Sequence, residues 1–311
     1  TYHILQDQFK VDPLRVANVI DYKNAQCSIP PEDLLLANIL SGTLDPDKID
    51  YLLRDSLFCG VPFGESVNRD RLESSIKYDS ERKRLAITSK GVDAVEALVF
   101  TNYLMYRNVY WHHGVRSASA MFKRAVQEIL LHPECQLDGN RFHLLTESEL
   151  IAQLKSEQQR LQLTGSAQLL DGTIYRRLYK VGAVINPSER KRALMEYLYE
   201  LFHNPVKRRE KEIELCHMFS KKLGRPLSGH EILIDIPGFN KSPEVDLKVF
   251  YGPKNPSDKA DPLTFDNPEV TRLRDSLLDN FEDQAKIFRI FCIDDPQLRT
   301  LVRNEAKRYL N

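Results

Sequence analysis

Two carboxylates, a phenol and two cations lie close together in one short stretch of the sequence. Asp47, Tyr51 and Asp55 recur at every fourth position, so in a helix they share one face, with Lys48 and Arg54 beside them. Carboxylates are hard oxygen ligands for a divalent metal, whereas Lys and Arg side chains suit phosphate oxygens. The spacing therefore indicates a site for a metal, a phosphate, or both.

The same stretch carries the signals that would build this helix. Asp45 can accept hydrogen bonds from the free amides of a first turn, and Pro46 loses nothing at the first helical position. We predict a helix from Asp45 to Phe58 whose apolar residues face a core. A structural interpretation also stays open, because acidic first turns are favoured by the helix dipole and surface cations pair with nearby acids.

Three segments of the sequence resemble a known family. The segment 44–55 is similar to the distal metal-binding motif of the HD-domain phosphohydrolases. The continuation Ser56-Leu-Phe-Cys-Gly-Val-Pro-Phe-Gly64 and the segment Tyr103–His112 resemble the deoxynucleoside triphosphate triphosphohydrolase branch, which includes bacterial dGTPase-like and SAM-and-HD-domain proteins. The resemblance is strongest between Asp33 and Lys123.

This resemblance implies a metal-dependent enzyme. Such a site holds its divalent ion (Mn, Mg, Fe, Zn or Ni) through a His, a His-Asp doublet and a later Asp, which would be Asp47 here. None of the eight histidines is followed by Asp, so the first three ligands are absent from this sequence. Because the segment from Thr1 to Leu5 resembles the stretch after those ligands, we expect an N-terminal part to be missing or renumbered.

The resemblance also assigns roles near the substrate. Asp47 and Lys48 would be catalytic, and Lys48 would neutralise phosphate oxygens. Asp55 would accept a hydrogen bond from the 3′-hydroxyl of the deoxyribose. The remaining substrate-binding candidates are Tyr51, Tyr106, Arg107 and Tyr110. Tyr51 would contact the sugar or a phosphate, and Tyr110 would close against the edge of the sugar. Arg54 is expected to be a structural partner for nearby carboxylates.

One departure from the family pattern bears on the substrate. Triphosphohydrolases place an arginine for the terminal phosphate two turns before Tyr110, where this chain has Asn102. Tyr106 stands where some relatives have His, and Arg107 lies on a different side of the helix. A monophosphate or another phosphoester is therefore an alternative substrate.

Three further residues match positions that contact an activating nucleotide between subunits in regulated relatives. These are Arg71, Lys90 and His113. Each has the alternative interpretation of a solvated surface residue. By the same analogy we expect a homo-oligomer.

Composition narrows the class of protein. The 311 residues carry 44 basic and 44 acidic side chains, and this balance argues against a nucleic-acid coat or a binder of anionic membranes. Five scattered cysteines without a Cys-x-x-Cys pair indicate a reduced, cytoplasmic setting. No apolar run approaches the ~18 residues of a transmembrane helix.

The order of the predicted elements indicates a mainly α chain. We expect an HD-type helical bundle over residues 1–170, with one long helix from Val92 to Leu131, followed by a small α+β domain over residues 171–311 that regulates or oligomerises. That second domain would contain a strand at 173–185, helices at 188–202, 206–223 and 269–280, strands at 231–236, 245–251 and 286–293, and a last helix at 296–310. The charged run 207–212 would be a solvated helix face.

Three functions are consistent with these patterns. The first is a metal-dependent phosphohydrolase of deoxynucleoside triphosphates, in which water attacks the α-phosphate and releases nucleoside and tripolyphosphate. The second is an HD-family phosphohydrolase acting on another nucleotide or phosphoester. The third is a catalytically degenerate module that senses nucleotides or contacts a partner.

Overall fold

The chain folds into two compact units. The computed structural model describes residues 2–22, 29–79, 84–185, 189, 191–238, 247–251, 262–265, 267–271 and 286–310. The first unit comprises Thr1–Val109 and Lys241–Glu282, and the second comprises Tyr110–Asn240 and Asp283–Asn311. The domains predicted from the sequence, 1–170 and 171–311, divide the chain at a different place from these two units, and that division stays a prediction. The predicted fold class, mainly α with a smaller α+β part, is confirmed.

The first unit combines five helices of the described chain with a small sheet. The helices are α1 (Pro13–Ile20), α2 (Pro31–Ser41), α3 (Pro46–Phe58), α4 (Arg69–Ser75) and α5 (Val92–Met105). The strands are β1 (Ile76–Asp79), β2 (Arg84–Thr88), β5 (Lys248–Phe250) and β6 (Leu263–Thr264), hydrogen-bonded in the order β1-β2-β5-β6. Among these three described pairs, β2–β5 is parallel and the other two are antiparallel.

The predicted long helix from Val92 to Leu131 is wrong. Helix α5 ends at Met105, a wide π-helical turn spans Tyr106–Tyr110, and a new helix begins at His113. Side chains explain the break: Asn108 Nδ2 donates to the carbonyl oxygen of Leu104 at 2.9 Å, and His112 leaves helical geometry so that its Nδ1 accepts from the amide of Gly114. The boundary between the two units falls in this turn.

The second unit is built around an antiparallel sheet. Its helices are α6 (His113–Leu130), α7 (Glu147–Arg160), α8 (Thr164–Ile174), α9 (Arg192–His203), α10 (Pro205–Leu223) and α11 (Pro296–Glu305). Strands β3 (Lys180–Ile185), β4 (Ile232–Asp235) and β7 (Phe288–Cys292) pair in the order β3-β7-β4.

Both faces of this sheet are covered, and the alternation of side chains shows how. In β4, Ile232 and Ile234 pack with α9, α10 and α11, whereas Leu233 between them packs with α6, α7 and α8. Phe291 of β7 likewise lies on the opposite side from Ile290. Since successive strand residues point to opposite faces, continuous apolar strands are needed to fill two cores.

Several predicted elements of this unit are confirmed and others are corrected. The strands at 231–236 and 286–293 correspond to β4 and β7, and the capping box at Thr146 is present at the start of α7. The predicted strand 173–185 is wrong before Lys180, because α8 continues to Ile174. Two glycines lower the helix propensity of α8, so burial of Leu169 and Leu170 in the core decides its structure. Most of the predicted 269–280 helix lies outside the described residues.

The charged run 207–212 is not only a solvated face. Arg209 donates to both carboxylate oxygens of Glu128 at 2.7 Å, and Glu212 is buried against the guanidinium of Arg124. Glu212 also accepts from the amide of Ile234 at 2.8 Å. These bonds exist because one side of α10 faces α6 and β4. Over the described residues, no helix combines the length and apolarity needed to cross a membrane.

Candidate functional site

Helix α3 begins as the sequence predicts. Asp45 has extended backbone angles and its side chain accepts from the amide of Lys48, while Pro46 occupies the first turn. Asp47 lies in that same turn and is exposed. Farther along, Arg54 pairs with Asp50 at 2.9 Å, which confirms its predicted structural role.

The ammonium group of Lys48 is held by its own neighbourhood. Lys48 Nζ donates to the carbonyl oxygens of Gly42 and Thr43 at 3.0 and 3.3 Å and to Asp45 Oδ2 at 3.0 Å. An ammonium has three donors, so these bonds account for all of them. In this structure Lys48 therefore fastens the turn that precedes α3, a role that sequence reasoning missed.

Tyr51 is the centre of the predicted site in the first unit. Its half-buried position raises the pKa of the phenol to about 12, with further contributions from Tyr106 and from the carboxylates of Asp45, Asp47 and Asp55. Each of these groups is thus close enough to affect the ionisation of Tyr51 electrostatically. Asp47 and Asp55 share the helix face of Tyr51, and Tyr106, from the turn that ends α5, is near enough to act on the same phenol.

A short loop braces the C-terminal half of α3. Ser56 is buried, and its Oγ donates to the carbonyl oxygen of Val61 at 2.6 Å and accepts from the amide of Gly64 at 2.8 Å. Gly64 has to be a glycine here, since a Cβ would lie 2.8 Å from the Cβ of Ser56. The sequence marked this loop by its glycines and proline but gave no sign of the role of Ser56.

The same loop is also fastened to α5. Thr101 Oγ1 donates to the carbonyl oxygen of Phe63 at 3.0 Å, and Ser66 Oγ lies 3.1 Å from Thr101 Oγ1. Helices α3 and α5 also pack directly against each other. The loop therefore fixes the separation between the helix that carries Tyr51 and Asp55 and the helix that leads to Tyr106.

Asn102 lies on α5 one turn before Tyr106. Its side chain is buried, with a relative exposure of 7%, and among the described residues its Oδ1 has no hydrogen-bond partner. A buried carbonyl oxygen without a donor is costly, so this position favours a bound water or a ligand with an N–H or O–H group. It would not attract a phosphate oxygen as the arginine of triphosphohydrolases does.

The other substrate-binding candidates lie in or beside the wide turn. Tyr106 and Arg107 belong to the first unit, and Arg107 Nη1 donates to the phenolic oxygen of Tyr103 at 3.0 Å. Tyr110 belongs to the second unit. The regular helix predicted to run through these residues is absent, because a π-helical turn replaces it there.

Two of the three nucleotide-regulation candidates are neighbours. Arg71 Nε donates to the main-chain oxygen of Lys90 at 2.9 Å, and its Nη2 lies 3.2 Å from Asp93 Oδ2. His113 belongs to the second unit, where its ring lies 4.0 Å from that of His112. Burial lowers the pKa of His113, and the nearby cationic groups lower it further.

The described residues do not form a metal site by themselves. Over that part of the chain, no group of three or more His, Cys, Asp or Glu side chains is arranged to hold an ion. Asp47 is therefore a single candidate ligand, which is fewer than the three protein ligands of a zinc site.

Comparison with known proteins places the chain in a family. The model of the HD associated region matches residues 67–255, which is more than half of the 311 residues. The chain belongs to this family. The matched range includes α5, the wide turn and much of the second unit, and it begins after α3.

Two relatives match part of the chain, and each carries the name uncharacterized protein. A protein of Methanocaldococcus jannaschii is 41% identical over 93 residues, which are 30% of this chain and 21% of that protein. The protein YwfO of Bacillus subtilis is 31% identical over 127 residues, or 40% of this chain and 25% of YwfO. The aligned stretches thus span only a fifth to a quarter of these relatives.

Two solved structures share the fold. A hypothetical protein from Aquifex aeolicus superposes with a TM-score of 0.58 at 21% identity, over 94% of this chain and 64% of that one. A phosphohydrolase from Bacteroides thetaiotaomicron gives 0.50 at 18% identity, over 89% of this chain and 66% of that one. At such identities the similarity establishes the fold.

Proposed function

We propose that this HD-associated chain is part of a phosphohydrolase that acts on deoxynucleoside triphosphates. The observation that carries the proposal is one face of α3, on which Asp47 and Asp55 lie one turn on either side of the half-buried Tyr51 and Tyr106 is near enough to raise the pKa of its phenol. Membership of an HD-associated family and a fold shared with a phosphohydrolase support it.

This face of α3 suits a sugar better than a phosphate. Tyr51 and Tyr106 offer aromatic surface, and Asp55 offers an acceptor for the 3′-hydroxyl of a deoxyribose. Carboxylates on the same face would repel phosphate oxygens, so the phosphate chain would extend away from Asp55 towards Lys48. To bind it, Lys48 Nζ would exchange its bonds to Gly42 and Thr43 for phosphate oxygens.

In the proposed reaction, water attacks the α-phosphorus and the bond between that phosphorus and the 5′-oxygen breaks. The 5′-oxygen takes up a proton and leaves as the deoxynucleoside, and the phosphate chain leaves as tripolyphosphate. Asp47 would contribute one ligand to the divalent metal, and the other described residues of the site would bind and orient the substrate.

Asn102 favours a second candidate function. Its buried Oδ1 cannot neutralise a terminal phosphate, so a phosphohydrolase of the same fold could act on a deoxynucleoside monophosphate or another phosphoester. The two candidates differ in product, since only the first releases tripolyphosphate.

The test is a product analysis of the protein purified from its complete gene, because the described residues supply a single candidate metal ligand. Each deoxynucleoside triphosphate and monophosphate is incubated with Mn²⁺ or Mg²⁺, and ³¹P NMR identifies the phosphate product. We expect the wild-type protein to form tripolyphosphate from the triphosphates. This activity should be lost in the Asp47→Asn variant and retained in the Asp50→Asn variant. Asp50 is a matched control because it is an exposed aspartate of the same helix that pairs with Arg54.

Two results would count against the proposal. Full turnover by Asp47→Asn would remove Asp47 from the site. Orthophosphate released from monophosphates, without tripolyphosphate from triphosphates, would favour the second candidate.

A further inference from the structure

The second unit contains a cavity that the proposed function does not use. Its volume is about 830 Å³, which lies within the range of ~300–1,000 Å³ typical of small-molecule sites. Its accessible apolar lining is formed by the half-buried rings of Tyr197 and Tyr309 and by the exposed Ala193, and behind them lie the core residues Ile185, Leu194 and Leu310. The cavity therefore has an apolar floor. We call it the Tyr197 cavity after one of its aromatic walls.

Its aromatic walls are held in place. Lys207 Nζ lies 5.9 Å from the centre of the Tyr197 ring, and Lys222 Nζ lies 3.2 Å from the phenolic oxygen of Tyr309. Tyr309 also packs edge-to-face on Phe219 with ring centres 6.1 Å apart. Rings fixed in this way give a preformed surface, which lowers the cost of ordering a ligand.

The described lining residues carry more positive than negative charge. They include three lysines, Lys191, Lys211 and Lys307, and one carboxylate, Glu189. Lys307 Nζ contacts both oxygens of Glu189 at 2.8 and 2.9 Å. Lys211 contacts Glu214, which is not among the described lining residues, at 3.1 Å. A modest excess of positive charge thus lies beside an apolar floor.

We propose that the Tyr197 cavity binds a small organic carboxylate with an apolar body. The body would pack on Tyr197, Tyr309 and Ala193, and the carboxylate would lie between Lys191 and Lys211. Two of the three lysines already contact a carboxylate of the protein, so little net positive charge remains in the cavity. A ligand with one negative charge therefore matches the cavity better than a nucleotide with several charged phosphates.

The experiment measures binding to the whole protein and needs no turnover, so it is independent of the proposed phosphohydrolase activity. Decanoate is titrated by isothermal calorimetry. Two control ligands are titrated in the same way: decyltrimethylammonium, which has a similar alkyl chain but a positive charge, and propanoate, which has the carboxylate but only a short chain. We expect decanoate to bind and the two control ligands to bind at least about tenfold more weakly, because one lacks the carboxylate and the other lacks the long alkyl chain.

Variants locate the binding. Lys211→Gln should weaken decanoate about tenfold through loss of a charge-assisted contact, while Lys221→Gln, an exposed lysine of the same helix, should leave it unchanged. Ala193→Phe would fill part of the cavity from the first turn of α9 and should abolish binding with an unchanged circular dichroism spectrum.

Three outcomes would overturn the assignment. The first is equal binding of decanoate and decyltrimethylammonium. The second is unchanged decanoate binding in a folded Ala193→Phe protein. The third is displacement of decanoate by dATP at a lower concentration than decanoate itself requires, which would indicate a nucleotide site.

Discussion

Replacing Ser56 with alanine tests whether the Val61–Gly64 loop holds α3 in place. The Ser56 hydroxyl accepts from the buried amide of Gly64 and donates to the carbonyl oxygen of Val61. Water has little room to replace it at Gly64, where even a Cβ would lie 2.8 Å from Ser56. A buried group left without its partner costs ~1–3 kcal/mol. The Val61 carbonyl is only partly buried and can bind water, so we expect a loss of about 2 kcal/mol.

Two measurements check this value. Denaturant unfolding gives the change in the free energy of unfolding, and native-state hydrogen exchange at the Gly64 amide should accelerate about thirtyfold if opening becomes easier by that amount. Ser66→Ala is the matched control, because Ser66 is an exposed serine that bonds within the same loop and should cost less. A loss below about 0.5 kcal/mol for Ser56→Ala, or one no larger than that for Ser66→Ala, would refute the argument.

Two further predictions concern pH. Burial raises the pKa of Tyr51 from 10.0 to about 12, so the neutral phenol stabilises the fold below pH 10 and this contribution disappears as the pH rises through 12. An ultraviolet difference titration of the wild type against Tyr51→Phe should show one phenol that ionises near pH 12. Ionisation of that phenol near pH 10 would contradict the prediction. The Arg160 side chain and the Gln136 amide lower the pKa of Glu157 from 4.5 to about 2, so its contribution is complete above pH 4.5 and is lost as the pH falls towards 2. Acid unfolding of Glu157→Gln should lack this pH-dependent component, and superimposable acid-unfolding curves for the two proteins would exclude it.

The sequence determined the features that depend on neighbouring residues. The Asp45 cap and Pro46 place the start of α3, and the four-residue spacing puts Asp47, Tyr51 and Asp55 on one face. The capping box at Thr146 likewise begins α7. Each of these features involves residues a few positions apart, so turn geometry and helical period are sufficient to predict it.

Only the tertiary structure decided which distant groups meet. The approach of Tyr106 to Tyr51 depends on the packing of α3 against α5 and on the turn that ends α5, and no sequence period announces either. The pairing of Glu212 with Arg124 joins residues 88 positions apart, and it buries one end of a charged run that the sequence presents as solvated. The Tyr197 cavity likewise combines β3, α9, α10 and the chain end. Such contacts follow from how whole elements fit together in a close-packed interior, whereas a sequence pattern specifies one element at a time.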